Sequence, residues 1–338
     1  MAMRDRETEV RALQLIHEHK WLRPTELGIL LFNRHTRKYA SKLLTKLRKD
    51  RLIIERQLPE RQGKALLLGK NGAALLRENG ILAKSGKDWG TLTDKEFRPS
   101  LTYKHDLLVA ATAAALVDEY DIETERNLEA YLCGAIPTKV PDGLLVRWDD
   151  RESYVWLEVE SARKTGRQYT KKGYQPQAGH FQKLINALID AARGTTWGVV
   201  GREFRIKGAC VAYDINAKNE LGHKIDHRGR IERAIKAQIA SDIEIMFVGL
   251  ELSPTLVVTA VHRETVLLHS DKQQRLLNEL CWHKDPTGAE TARERRYRLS
   301  VQFVDGWRYQ IDNKELSKPY GTILEAKKAC ISAVIPMP

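Results

Sequence analysis

Two acidic residues frame the stretch PDGLLVRWDDRESYVWLEVE at residues 141–160: Asp142 directly after Pro141, and Glu158 near its end. The stretch reads as an antiparallel hairpin whose loop is the acidic turn at 148–152. Pairing symmetric about Asp150 makes residues whose numbers sum to 300 face each other, which sets Asp142 opposite Glu158. Directly opposed Cβ atoms in an antiparallel pair lie about 5 Å apart. Two carboxylates that close repel unless a cation lies between them, and magnesium, with oxygen ligands at about 2.1 Å, fits the gap. Alternation agrees with the pairing. Val155, Leu157 and Val159 share one face for the core, while Tyr154, Trp156, Glu158 and Glu160 share the other.

The elements around this hairpin must hold it. Residues 101–120, LTYKHDLLVAATAAALVDEY, read as a helix whose many alanines permit close packing against a sheet. His105 and Asp106 fall in its first turn, and His105 is a candidate catalytic residue. A weak strand follows at 121–124. Beyond residue 196, TWGVVGREF, CVAYD, IEIMFVGL and TLVVTAVH read as strands, with a helix at 229–240. Together they predict an α/β sheet flanked by helices.

The net charge is +12, and residues 1–99 hold 22 Lys plus Arg against 12 Asp plus Glu. A basic excess confined to one region is the footprint of a nucleic-acid-binding module. Apolar spacing predicts helices over 4–20, 25–32 and from 36 onward, then strands at 52–57 and 65–68 and a helix over 70–78. Tyr39, Leu43, Leu44 and Leu47 form the expected inward face of the third helix. Arg37, Lys38, Ser41, Lys42, Lys46 and Lys49 form its outward face, and Arg56, Arg61 and Lys64 surround the hairpin tip. Three helices and a basic hairpin are the order of a winged helix-turn-helix, whose third helix enters the major groove while the hairpin lies on phosphates. The expected partner is double-stranded DNA.

Pro-Asp, a short hairpin and Glu-x-acid after an alanine-rich helix resemble the PD-(D/E)xK nuclease superfamily. KHDLLVAATAAAL, VPDGLLV and WLEVESARKTG together resemble, more narrowly, the replication-relaxation family, related to MobC-type mobilisation relaxases. The likeness spans roughly residues 10–190. It implies phosphodiester cleavage with Mg2+ (or Mn2+) held by Asp142 and Glu158 and the Val159 carbonyl, the ion activating water and polarising the phosphate. It also implies a lysine that neutralises developing charge. That lysine is expected two residues after Glu158, where Glu160 stands, so Glu160 becomes a third metal ligand. Lys164 and Lys183 can each supply the charge, and Lys183 is preferred because a helix positions a side chain better than a glycine-flanked loop. Tyr169 and Tyr174 lie near the site and can serve as a nucleophile, although they read first as packing or phosphate-contacting residues.

Other chemistry lacks its signature. There is no GxxxxGK[ST], no HExxH and no paired cysteine motif; Cys133, Cys210, Cys281 and Cys330 are far apart. No run of about 18 apolar residues predicts a membrane span, and the charged start MAMRDRETEV is unlike a signal peptide, so the chain is expected in the cytoplasm with no membrane partner. The expected organisation is a winged helix over 1–82, a linker over 83–100, a PD-(D/E)xK restriction-endonuclease-like α/β core over 101–270, and a small ββα module over 290–338. That module rests on YRLSVQFVDGWRYQI, with Asp305-Gly306 as its turn, and on a helix at 322–334. The expected function is site-specific DNA nicking for a plasmid or other mobile element, with other mobilisation or replication proteins and a second copy of the chain as further partners. The alternatives are a non-catalytic regulator or replication accessory protein, and a defence-type endonuclease.

Overall fold

A computed structural model describes the chain except residues 1, 33–36, 60–61, 87–89, 93–96, 100–102, 130–138, 162–166, 171–172, 177–179, 200–201, 220, 272–279, 281, 285–288, 295–296, 304–306, 313–316 and 334–338. It is mixed α/β, built on one large mixed sheet, and divides into two compact units. The first unit holds residues 1–227 and 246–264, the second 228–245 and 265–338.

The first unit begins α1 (Ala2–Glu18), α2 (Pro24–Phe32), α3 (Arg37–Lys49), β1 (Ile53–Gln57), β2 (Lys64–Leu68), α4 (Lys70–Glu78). Leu13 and Ile16 of α1, Leu27 of α2, Leu44 and Leu47 of α3, Leu66 and Leu68 of β2, and Leu75 and Leu76 of α4 bury together. The segment expected as a linker carries a short antiparallel pair, β3 (Gly90–Leu92) with β4 (Phe97–Pro99). Next come α5 (Tyr103–Leu116), β5 (Tyr120–Thr124), α6 (Glu125–Glu129), β6 (Gly143–Arg147) and β7 (Tyr154–Glu160). After the small pair β8 (Arg167–Thr170) and β9 (Gly173–Pro176) follow α7 (His180–Arg193), β10 (Thr195–Val199), β11 (Arg202–Asp214) and α8 (His227–Lys236), of which all but His227 belongs to the second unit. Two further strands, β12 (Ile243–Leu252) and β13 (Val258–Leu268), complete a seven-stranded sheet in the order β13-β12-β11-β7-β6-β5, with β10 also pairing β11.

The register matches the sequence arithmetic. Gly143 pairs Leu157, Leu144 pairs Trp156, Leu145 pairs Val155, and Val146 pairs Tyr154. β7 then runs parallel to β11, and β11 parallel to β12, which gives the buried centre of the sheet.

α5 has no polar face after its first turn because it is covered on several sides. Leu108, Ala111 and Ala115 pack on Leu145, Leu157, Val159 and Cys210 of the sheet. Ala110 packs in the core of the N-terminal helices, and Tyr103 and Leu107 meet Trp21, Leu58, Ala65 and Leu67. Small side chains let the helix approach all these neighbours at once. Across the sheet, α7 lays Leu184, Ile185 and Leu188, all buried, against β11 and β7.

The second unit carries a four-stranded antiparallel sheet, β14 (His283–Lys284), β15 (Glu290–Glu294), β16 (Tyr297–Phe303) and β17 (Trp307–Ile311), followed by α9 (Ile323–Ser332). Thr322 and Glu325 cap α9 reciprocally. The module expected as ββα thus has two more strands than the sequence revealed. His283-Lys284 is too short for a pattern, and Glu290–Glu294 is almost wholly polar. Leu299, Val301, Ala326, Cys330 and Ile331 form its core. Among the described residues, no helix is long and apolar enough to cross a membrane.

Gly72 is the tightest joint of the N-terminal elements: a Cβ there would stand 2.2 Å from the Leu52 carbonyl oxygen and 2.9 Å from Leu68 Cδ1. Gly72→Ala should therefore cost about 3 kcal/mol, read as a lower urea midpoint in circular dichroism.

Candidate functional site

Asp142 lies just before the last registered pair of β6 and β7, Gly143 with Leu157, and Glu158 just after it, at the sheet end. Asp142, just before β6, is 7% exposed and Glu158 is 2% exposed, an unusual burial for carboxylates that only close partners permit. Asp142 Oδ2 accepts from the backbone N–H of Val159 at 2.7 Å, and its Oδ1 lies 3.1 Å from His105 Nε2. Its own N–H donates to the Leu157 carbonyl at 3.1 Å, so main chain and side chain both lock it to β7. The first turn of α5 delivers His105, as the helix-start reading required.

Glu158 is held differently. Trp156 Nε1 donates to Oε1 at 2.7 Å, and Lys139 Nζ lies 2.7 Å from Oε2. Lys139, which the sequence reading did not single out, stands three residues before Asp142. The expected Lys183 is exposed, in the outward stripe of α7 with Gln182, Asn186 and Asp190, while Leu184, Ile185 and Leu188 face the sheet. It makes no hydrogen bond or ion pair with Asp142 or Glu158 among the described residues. Lys164 lies outside the described residues. Tyr169 and Tyr174 pair in register between β8 and β9, and their side chains lie outside the described set.

No protein family, curated protein or solved structure matches the chain.

Burial, with the Asp142 charge beside it, pushes Glu158 up to about 8, against the pull of Lys139 and Trp156. Lys139 is desolvated too, yet Glu158 and Asp142 outweigh that and hold its ammonium above the ordinary lysine value. Asp142, Glu158 and Lys139 are thus linked through burial and charge as one cluster. Among the described residues no three His, Cys, Asp or Glu side chains are placed to hold a metal ion.

Glu160, expected as a third ligand, is buried with its Oε2 3.9 Å from His227 Nδ1, at the start of α8. His227 is itself 3% exposed and was not singled out by the sequence. A polar cavity of about 30 Å³ adjoins Asp142 on the other side, lined by Glu18, His19, Asp106 and Thr124 among others. Burial raises both Glu18 and Asp106 from their ordinary values.

The expected DNA-contacting residues divide. Lys42, Lys49 and Ser41 are exposed on α3. Lys46 pairs with the buried Glu9, Lys64 lies 3.2 Å from Glu55 Oε2, and Arg48 also pairs with Glu55. Arg56 is half-buried and donates to the Glu55 carbonyl at 2.9 Å. Arg61 and the side chains of Arg37 and Lys38 lie outside the described residues. Tyr39, expected inward, is 62% exposed. It shares an outward face with Lys42, Lys46 and Lys49 at helical spacing, while Leu43, Leu44 and Leu47 suffice to fill the core side.

The protonated carboxyl has a thermodynamic signature. The native state holds the Glu158 proton up to about pH 8, whereas the unfolded chain releases it near the ordinary 4.5. In that interval the folded state binds more protons, so its stability falls as pH rises. His17 and His19, lowered to about 4 by burial, act in the opposite sense but only below about pH 6.5. Between about pH 6.5 and 8, with divalent ions chelated, urea midpoints should fall for the wild type. Glu158→Gln should flatten that slope, by up to roughly 1.4 kcal/mol per pH unit.

Proposed function

We propose that the chain binds duplex DNA and cleaves one of its phosphodiester bonds with the help of Mg2+, Mn2+ serving in its place. The observation that carries this reading is the buried pair of Asp142 and Glu158, set opposite each other by the hairpin register, with Lys139 against Glu158. In the reading, the elements α1 to α4 act as a winged helix-turn-helix and the large sheet as a PD-(D/E)xK-type core.

Asp142 and Glu158 would hold the ion, which supplies an activated water and a polarised phosphate. The remaining roles belong to the chain. The Val159 N–H and His105 hold the Asp142 carboxylate in place. Lys139, 2.7 Å from Oε2, would supply an ammonium beside a phosphate held there, where negative charge develops. Tyr39, Lys42 and Lys49, exposed on α3, supply a groove-facing aromatic and two phosphate contacts. The form of cleavage in this reading is nicking at a specific site during mobilisation or replication.

A second reading has its own observation. Lys139 already neutralises one charge of the pair, so the same fold can serve a DNA-binding regulator whose acid pair is structural. Supercoiled plasmid carrying a candidate origin separates the two when incubated with the chain and Mg2+. Wild type should give open circles. Asp142→Asn and Glu158→Gln should lower the rate about a thousandfold, Lys139→Met ten- to a hundredfold, and Lys183→Met less than twofold. Linear product places the chain with double-strand nucleases, and intact plasmid with wild type, while duplex binding persists, leaves the regulator.

A further inference from the structure

Residues 215–219 and 221–226, between the end of β11 and the start of α8, build a small hairpin that the acid pair does not use. Ile225 N donates to the Ala217 carbonyl at 2.8 Å, Lys218 bridges Lys224 antiparallel, and Asn219 N donates to the His223 carbonyl at 2.9 Å. The Asn219 side-chain oxygen accepts from the backbone N–H of Leu221 at 3.0 Å and of His223 at 2.9 Å. Gly222 closes the turn at φ +79°, a conformation that suits glycine. The base is anchored by Ala217, 3% exposed, while the apex presents Leu221, 79% exposed. Lys218, His223 and Lys224 are exposed around it.

The position is as specific as the shape. β7 and β11 run parallel with Tyr213 in register with Glu160, so the hairpin leaves the sheet at the end that carries Glu158 and Glu160. The chain returns at His227, 3.9 Å from Glu160. Both feet of the hairpin therefore stand beside the acidic strand end. Ligands of open α/β sheets bind outside the carboxyl ends of the strands, which is where this hairpin projects. Three residue pairs give it a reach on the order of 10 Å.

One exposed leucine is ordinary on any surface. Two lysines opposed across a bridge are not, since like charges directly opposite destabilise a hairpin. Neither lysine makes an ion pair among the described residues. A polyanion on either side relieves that repulsion. From this we infer that the hairpin is a second duplex-DNA contact, with Lys218 and Lys224 on the phosphates flanking the minor groove and Leu221 entering at a base step. Opposed Cβ atoms about 5 Å apart carry side chains long enough to splay to the two rims of a groove about 6 Å wide. The inference rests on the proposed DNA-cleaving function, and gives the acid pair a means of holding and locally opening the duplex beside it.

The test measures duplex binding by the full chain with metal chelated, using a labelled mixed-sequence duplex of about 30 base pairs and salt from roughly 50 to 300 mM. Lys218→Ala/Lys224→Ala should reduce the slope of log affinity against log salt by about two units and weaken binding at least ~10-fold. Leu221→Ser should leave the slope unchanged and weaken binding several-fold. Lys42→Ala/Lys49→Ala, on α3, should lower the slope independently. The substitutions are at exposed positions, and superimposable circular dichroism spectra check that the fold persists. A wild-type slope in the hairpin double variant, with the α3 variant still reduced, overturns the hairpin contact and leaves the DNA reading standing. Wild-type affinity for Leu221→Ser overturns the insertion of the leucine. A wild-type chain without salt-dependent duplex binding overturns both the function and the hairpin.

Discussion

Two carboxylates cannot share a dry pocket unless everything around them is arranged to allow it, and that constraint organises the centre of this molecule. Asp142 is tied to β7 by its main chain and its side chain, and to α5 through His105. Glu158 is tied to Trp156 on its own strand and to Lys139. Each tie removes part of the desolvation cost, and together they still leave Glu158 protonated near neutrality. A fold seeking stability alone would place an apolar pair there, since replacing buried charges by well-packed hydrophobic groups is often neutral or stabilising.

The same constraint gives α5 its composition. This helix must press His105 toward Asp142 while packing on the sheet and on the N-terminal helices. Alanine at Ala110, Ala111 and Ala115 permits that proximity. Polar links follow the apolar ones: Thr124 Oγ1 donates to the Glu18 carbonyl at 3.1 Å, and Lys20 lies 3.5 Å from Glu125. The end of α1 thus reaches the polar cavity next to Asp142, so the basic N-terminal elements and the acid pair belong to one packed unit.

Charge on the N-terminal elements is partly spent on the fold itself. Glu9 and Glu55 engage Lys46, Arg48 and Lys64, cations that composition alone counts as open to DNA. The exposed pairs of Arg48 and Lys64 with Glu55 are worth little in stability, and a phosphate can compete for those cations. Lys42 and Lys49 remain as exposed charge on α3, joined by Tyr39.

Local pattern carried much of the architecture. Helix and strand periods located α1 to α4, the β6–β7 hairpin and α5, and the pairing arithmetic set Asp142 against Glu158 because a hairpin's register follows from its loop alone. Polar runs such as Glu290–Glu294 carry no period, and their strand pairing came from neighbours rather than from themselves. What only the tertiary structure decided was the company of the acids. Lys139 rather than Lys183 meets Glu158, and Glu160 turns to His227. Which face of α7 meets the sheet, and where the loop before Asp142 and the start of α8 come to rest, are set by packing between segments distant along the chain. Residue types and their spacing therefore determined that two carboxylates would meet; the packing of the chain around them determined which positive and polar groups answer them.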